Sequence, residues 1–286
     1  MLLACICAGQ AAFVHVFACW HDEEPVGSGW PLTFWFALGA GILIKGPIAP
    51  LIVLLTGAAF FWRARELGWF LALRPLLGLG VLALMIGPWG LAVGLATDGR
   101  FYAEALGGDM FGKVGTAQEN HGAPPGYHLL LLPILLWPAA ALVAPGLIQA
   151  RSTRRAWPAW FLLSWIAPAW LVFELTATKL PHYTLPLYPA IAIVAARAAS
   201  IGAGARRPLV RRFGVALYLL VGLGAAGAAV ALPLAFGGEG ATSSALIFAL
   251  LIRDRSLCAD ALSAGRPCRL LGALGDLPAG RRDKTG

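Results

Sequence analysis

The chain alternates long apolar runs with short polar segments, a pattern that predicts a membrane protein built from helices. A helix needs about 20 apolar residues to cross roughly 30 Å of hydrocarbon. Six runs meet or approach that length and keep charged residues away from their centres: 2–20, 75–96, 128–149, 157–175, 184–200 and 213–235. Each is therefore expected to form one membrane-spanning helix.

The run 31–61 is too long for one ordinary span, and Lys45-Gly46-Pro47 interrupts it at the centre. Proline inside a helix removes a hydrogen bond and clashes with the preceding turn. We expect two short helices, 31–44 and 47–61, that turn at Gly46-Pro47. The alternative is one long kinked span, which would bury Lys45 at a high cost. The predicted fold class is an all-α polytopic membrane protein with about eight transmembrane helices and a long extracytoplasmic loop.

Composition supports the membrane interpretation over a soluble one. Hydrophobic residues make up 59% of the 286 residues and charged residues only 13%, whereas soluble domains carry about 25% charged residues. The net charge of +8 could indicate nucleic-acid binding, but the arginines form short clusters between apolar runs, without a basic face or a nucleic-acid motif. Basic cytoplasmic loops explain this charge better.

The positions of the arginines predict the orientation of the chain. Segments 62–74, 150–156 and 197–212 are rich in arginine, and they alternate along the chain so that all three can face the cytoplasm. Segments 97–127 and 176–183, which are poor in basic residues, then lie on the opposite side. The acidic segment 21–30 fits this topology less well, since it would be cytoplasmic without any positive charge.

Three polar clusters are predicted to converge on the outer side. They are Lys45, the end of the loop 97–127, and the segment from Glu174 to Tyr183. Lysines at a membrane rim can bind a phosphate as point charges, and carboxylates can orient a sugar or accept a proton. The candidate substrate-binding residues are Lys45, Lys113, His121, Tyr127, Lys179, His182 and Tyr183. The weak candidates for catalysis are Glu119 and Glu174.

Plainer interpretations of the same residues remain open. The two rim lysines, Lys45 and Lys179, can simply extend to lipid headgroups, and Glu174 can simply pair with Lys179. The histidines can be interfacial hydrogen-bonding groups. No cofactor is predicted: the five cysteines form no metal pattern, and Glu119-x-His121 is too weak a signal for a divalent metal.

Three segments carry a family resemblance: GILIKGPIAPL, QENHGAPPGYHLLLLPILLWP and TKLPHYTLPLYPA. Together, in this order and spacing, they resemble the membrane glycosyltransferases related to protein O-mannosyltransferases. The most similar branch comprises the bacterial transferases that add aminoarabinose to lipid A. The resemblance implies a multi-pass protein of the bacterial inner membrane. It implies a polyprenyl-phosphate-linked sugar as donor and a lipid or protein as acceptor at the outer face, without a nucleotide or a Rossmann domain.

The chain departs from the family pattern at both ends. The family's catalytic acidic residues lie in the first outer loop, and no segment here matches that loop. We therefore expect residues 1–235 to be the C-terminal, partial glycosyltransferase region, incomplete for transfer by itself, and 236–286 to be an atypical tail. Two other functions remain open: a transporter or flippase for a lipid or small anion, and a non-catalytic membrane scaffold. Polar groups at one rim favour surface chemistry over transport, which needs polar groups at the midplane.

Overall fold

The computed structural model describes residues 1–104, 123–203 and 208–236, which are mostly helical and contain no β-strand. The helices, numbered here in chain order, are α1 (Leu2–His21), α2 (Gly29–Lys45), α3 (Ile48–Ala64), α4 (Gly68–Ala72), α5 (Pro75–Ala96), α6 (Arg100–Ala103), α7 (Tyr127–Leu135), α8 (Ala140–Ser152), α9 (Trp157–Leu175), α10 (Tyr188–Ser200) and α11 (Pro208–Phe236). A 3₁₀ helix, Pro181–Leu187, precedes α10.

The helices confirm an all-α polytopic membrane fold. Among the described residues, four stretches are long and apolar enough to cross a membrane: Leu2–His21, Pro75–Ala96, Trp157–Leu175 and Pro208–Ala229. The interrupted pair of α7 and α8 can supply a fifth span, whereas α2 and α3 are shorter apolar helices. The predicted total of eight transmembrane helices stays a prediction.

The long apolar run 31–61 divides where the sequence indicated. α2 ends at Lys45 and α3 begins at Ile48, with Gly46 at a φ of +57° between them. A side chain added at Gly41 would collide with the Ala49 methyl group. These two positions lie on opposite sides of the break, so the helices fold back and pack against each other. This arrangement agrees with the predicted turn and disagrees with one continuous kinked span.

Two predicted spans differ from the observed helices. The run 128–149 was expected to be one helix, but it is broken between α7 and α8. Pro133 and Pro138 both lack the amide proton that a continuous helix needs, and a proline interior to a helix clashes with the turn before it. The run 184–200 begins as a 3₁₀ helix, and its α-helix starts only at Tyr188, since Pro186 and Pro189 interrupt the early hydrogen-bond ladder.

The described chain separates into two compact units, and the first comprises Met1–Leu131 and Thr153–Ile191. In this unit α1 packs on α2 and α3, α2 on α5, and α3 on α9. The buried ring of Phe13 is central to the packing, with edge-on contacts to Phe60 at 5.8 Å and Phe161 at 5.5 Å between ring centroids. A buried polar pair, Gln10 Nε2 donating to Thr56 Oγ1 at 3.0 Å, links α1 to α3, as interhelical polar contacts do within membranes.

The second unit is formed by the described parts of Leu132–Ser152 and Ala192–Gly286. α8 packs against α11, and Gly214 lies directly against the backbone of Ala141. The indole of Trp137 stacks on Tyr218, with 5.4 Å between ring centroids. The predicted tail lies outside the described residues from position 237 onward, so the boundary proposed near residue 235 stays a prediction.

Candidate functional site

The candidate site lies in the first unit, where three segments distant in sequence meet. They are the end of α2, residues 123–128 at the start of α7, and residues 174–183 between α9 and α10. Side-chain hydrogen bonds join the second and third of these segments. An electrostatic interaction joins the first to the third. The structure therefore brings together segments from all three polar clusters that the sequence placed on one side.

Lys45 and His182 form the exposed part of this site. Lys45 is the last residue of α2, and both side chains are exposed to the surroundings. Partial burial, and then the positive charge of Lys45, lower the pKa of His182 below its ordinary value. The imidazole is therefore held in its neutral form at neutral pH, beside an ammonium group. Such a surface offers one strong cationic donor and one neutral donor to an anion.

Lys179 is placed differently, because its side chain is buried with only 5% of the residue exposed. Its Nζ donates to the carbonyl oxygen of Thr176 at 2.7 Å and to that of Ala123 at 2.9 Å. An ammonium group has three donors, so these two bonds leave one N–H. Lys179 thus ties Ala123 to the turn after α9, and its contacts with the described residues leave one N–H for another acceptor.

Glu174 and His128 make the other contacts between these two segments. Glu174 Oε2 accepts the backbone N–H of Gly126 at 3.0 Å and lies 3.7 Å from His128 Nδ1. The other imidazole nitrogen, Nε2, is 3.1 Å from the carbonyl oxygen of Leu180. The open interpretation that Glu174 pairs with Lys179 has no support here, since each has other partners among the described residues.

Two tyrosine rings lie beside histidines in the same segments. The ring of Tyr127 is 5.3 Å from that of His128, and the ring of Tyr183 is 5.3 Å from that of His182. Tyr127 and Tyr183 are both half-buried, so each can present its ring or hydroxyl to a ligand at the rim. The roles of Tyr127 and Tyr183 as substrate-binding residues stay predictions.

Three of the predicted site residues, Lys113, Glu119 and His121, lie outside the described residues. Within the described ranges no three histidine, cysteine or carboxylate side chains gather as a set of metal ligands. His128 was not singled out from the sequence as a site residue. The sequence did offer one signal for it: His128 is a polar residue at the start of an apolar helix, and a buried histidine needs a polar partner. The sequence did not identify that partner.

No model of a protein family matches the sequence, but curated relatives do. An undecaprenyl phosphate-alpha-4-amino-4-deoxy-L-arabinose arabinosyl transferase of Pseudomonas aeruginosa strain PAO1 is 30% identical over 189 residues, 62% of this chain and 33% of the relative. The corresponding transferase 2 of Pseudomonas fluorescens strain Pf-5 is 26% identical over 239 residues, 81% of this chain and 40% of the relative. The chain thus spans about a third of the curated relatives it matches.

A solved structure extends the similarity to the fold. The crystal structure of ArnT from Cupriavidus metallidurans bound to undecaprenyl phosphate superposes with a TM-score of 0.69 and 22% identity. The superposition covers 91% of this chain and 50% of that chain; the apo structure gives a TM-score of 0.65. These comparisons confirm the resemblance to the aminoarabinose transferases that the three motifs indicated, and they confirm the polytopic helical fold.

Proposed function

We propose that this chain takes part in the transfer of a sugar from a polyprenyl-phosphate donor to a lipid acceptor at the outer face of the bacterial inner membrane. The names of the relatives suggest the donor more closely, as undecaprenyl phosphate carrying 4-amino-4-deoxy-L-arabinose. Lipid A is the acceptor that the family resemblance favours over a protein.

The observation that carries the proposal is that the charge of the exposed Lys45 acts on the exposed imidazole of His182. The two residues come from distant segments, yet Lys45 is close enough to influence the pKa of the His182 imidazole, after the larger effect of burial. A lipid-linked phosphate needs a cation that is accessible from the membrane surface, and Lys45 satisfies that requirement. The solved relative with bound undecaprenyl phosphate supports assigning this chemistry to the shared fold.

The other site residues have supporting roles in the proposal. Tyr127 and Tyr183 contact the phosphate or the sugar from the rim. Lys179 directs its remaining N–H and its buried charge toward the same anion. Lys113 and His121, which lie outside the described residues, stay proposed contributors from the long loop.

The proposal separates binding from the proton transfer that activates the acceptor. A catalytic base typically contributes about 10²–10⁴-fold to a rate. Glu174 is a poor candidate for that base, because Oε2 is occupied by the Gly126 N–H and its neighbour is His128. We assign that role to another carboxylate, with Glu119 as the candidate within this sequence.

Binding of undecaprenyl phosphate tests the proposal. The whole chain in lipid nanodiscs is titrated with undecaprenyl phosphate, and bound lipid is counted by native mass spectrometry. Lys45→Met should weaken binding by about tenfold, since a charge-assisted hydrogen bond is worth roughly 1.5 kcal/mol or more. Arg212→Met removes an exposed charge from the arginine-rich side and should leave binding unchanged. Equal affinity in wild type and both variants contradicts the proposed phosphate site.

A further inference from the structure

We propose that Gly46 is a positioning residue for the phosphate site: its backbone adopts a conformation open only to glycine, and this conformation directs Lys45 toward the turn that carries His182. In this arrangement Gly46 contacts no ligand and acts only through the lysine beside it. The inference deepens the proposed function, and it rests on that function where lipid binding is measured. The placement of Lys45 is tested separately, without a ligand.

The backbone of Gly46 lies at φ +57° and ψ −126°. These angles are close to the mirror image of the polyproline II values, a region in which the Cβ of an L-residue clashes with its own backbone. Glycine enters this region freely because it has no Cβ. Nothing lies within 4 Å of a carbon added at Gly46. The requirement for glycine therefore comes from the backbone conformation and not from a lack of space.

The neighbours of Gly46 leave few other torsions that can make the turn. Pro47 follows at a φ of −76°, which its ring holds near that value. Lys45 precedes as the last residue of α2, and the N–H of Gly46 still donates to the Ile42 carbonyl at 2.8 Å. α3 then begins at Ile48. The reversal of the chain between the two helices is thus concentrated at Gly46.

Packing holds both helices that meet at this turn. Gly41 and Ala49, about one helical turn before and after Lys45, lie directly against each other across the break. α3 is also tied to α1 by the buried bond from Gln10 to Thr56 at 3.0 Å, and α2 packs on α1 and α5. A change at the turn cannot be absorbed by moving either helix as a whole. We therefore expect the last turn of α2 to unwind instead.

Lys45 lies in that last turn, and its side chain is exposed. Its charge acts on the exposed imidazole of His182. α1 contacts both α2 and the 3₁₀ helix Pro181–Leu187, so the elements that carry Lys45 and His182 share one support. Unwinding the end of α2 would move the ammonium group relative to His182 and to any phosphate bound beside it.

Gly46→Ala tests this role directly. An alanine at this position meets no neighbouring atom, but its Cβ disfavours the positive φ, so the end of α2 has to rearrange. Gly80→Ala is the matched control: nothing lies within 4 Å of the added carbon there either, and Gly80 is inside α5 without a positive φ. The two substitutions add the same methyl group and differ in the backbone conformation that they meet.

Gly46→Asn separates backbone conformation from side-chain size. Asparagine adopts a positive φ several-fold more often than most residues, although its side chain is larger than that of alanine. A backbone requirement predicts that Gly46→Asn stays closer to wild type than Gly46→Ala. The opposite order would assign the effect to side-chain volume and overturn the inference. If Gly46→Ala does not fold, Gly46→Asn takes its place in both measurements, with a smaller effect in the same direction.

The titration of His182 reports where the Lys45 charge lies in the absence of a ligand. It is followed by NMR in the whole chain, with labelled histidine, in lipid nanodiscs. Lys45→Met should raise the pKa of His182, because the positive charge that contributes to lowering it is removed. Gly46→Ala should raise that pKa too, and should change nothing further in the Lys45→Met background. Gly80→Ala should leave it at the wild-type value.

Binding of undecaprenyl phosphate to the same nanodiscs, counted by native mass spectrometry, reports the consequence for the site. Gly46→Ala should weaken binding by up to about tenfold, the loss expected when a charge-assisted hydrogen bond is removed. In the Lys45→Met background the same substitution should cause no further loss, since its effect passes through the lysine. Losses that simply add would show that Gly46 acts on the fold in general, which contradicts the positioning role.

The two measurements separate this inference from the proposed function. If no form binds the lipid, but Gly46→Ala shifts the His182 titration only when Lys45 is present, then Gly46 positions Lys45 and the proposed phosphate site is wrong. If Lys45→Met weakens lipid binding while Gly46→Ala behaves like Gly80→Ala in both measurements, the phosphate site stands and the positioning role is refuted. An equal shift of His182 with and without Lys45 refutes it as well.

Discussion

Lys45, at the end of α2, acts electrostatically on His182, in the turn before α10. Burial contributes most to the lowered pKa of the imidazole, and the Lys45 charge adds to it. Protonating His182 would place two positive charges together in a partly desolvated site, which is unfavourable. The pair therefore presents one charge at neutral pH, and it gains a second only below the ordinary pKa of histidine.

Lys45→Met should raise the pKa of His182 toward, but not fully to, its ordinary value, because burial remains. NMR titration of histidine-labelled protein measures this change. The sign for stability follows from linkage: the unfolded chain takes up the proton first as the pH falls, so folding weakens between the ordinary and the lowered pKa. Arg212→Met should leave the His182 titration unchanged, and so would Lys45→Met if the two residues did not interact.

Lys179→Met should destabilise the fold, in contrast to Lys45→Met. The Lys179 amine satisfies two carbonyl oxygens, those of Thr176 and Ala123, in a buried position. Methionine fills a similar volume but leaves these acceptors without a donor, which costs about 1–3 kcal/mol. Lys45 is exposed, and its replacement should change the unfolding free energy by less than about 0.5 kcal/mol.

Reversible unfolding in mixed detergent micelles compares the two lysine variants under one condition. Equal destabilisation by both would show that the Lys179 hydrogen bonds contribute nothing specific. A loss of lipid binding in Lys179→Met without a loss of stability would show that Lys179 acts on the anion alone and does not hold the two segments together.

The sequence predicted the helices best where polar residues clearly marked both ends of an apolar run. The observed α5 and α9 coincide with the predicted spans 75–96 and 157–175. The span 128–149 was wrong as a continuous helix, because hydrophobicity carries no information on whether Pro133 and Pro138 kink a helix or end it. Surrounding packing decides between those outcomes.

The sequence could suggest a common region for the site residues but not their individual contacts. The arginine distribution and the three motifs predicted that Lys45 and His182 belong to one region, and in the structure the charge of Lys45 acts on His182. The contacts of Glu174 with His128 and Gly126 could not be derived, because they join segments through side-chain geometry that no spacing rule encodes. The simplest local pairing, Glu174 with Lys179, was therefore a reasonable alternative that the contacts do not support.

Gly78→Ala should disrupt the packing of α5 on α2. The Trp35 indole occupies the space where a side chain at position 78 would begin, and its Nε1 donates to the Leu73 carbonyl at 2.7 Å. A methyl group would displace the ring and break that buried bond, with a cost of about 1–3 kcal/mol from overpacking. Gly80→Ala is the matched control, since no atom lies within 4 Å of the added carbon. Thermal unfolding in detergent should lower the Tm of Gly78→Ala only; equal Tm values would contradict the close contact.

The proposed site requires that the segments around Lys45 and His182 face away from the cytoplasm. If the arginine-rich segments are cytoplasmic, then the exposed positions Pro125 and Pro181 face outward and Glu66 faces the cytoplasm. Single cysteines at these positions, in a background where the native cysteines are serine, should react differently with a membrane-impermeant maleimide. In intact cells Pro125→Cys and Pro181→Cys should be labelled, and Glu66→Cys only after lysis. The opposite pattern would place Lys45 and His182 on the cytoplasmic side, where an outward-facing sugar transfer could not use them.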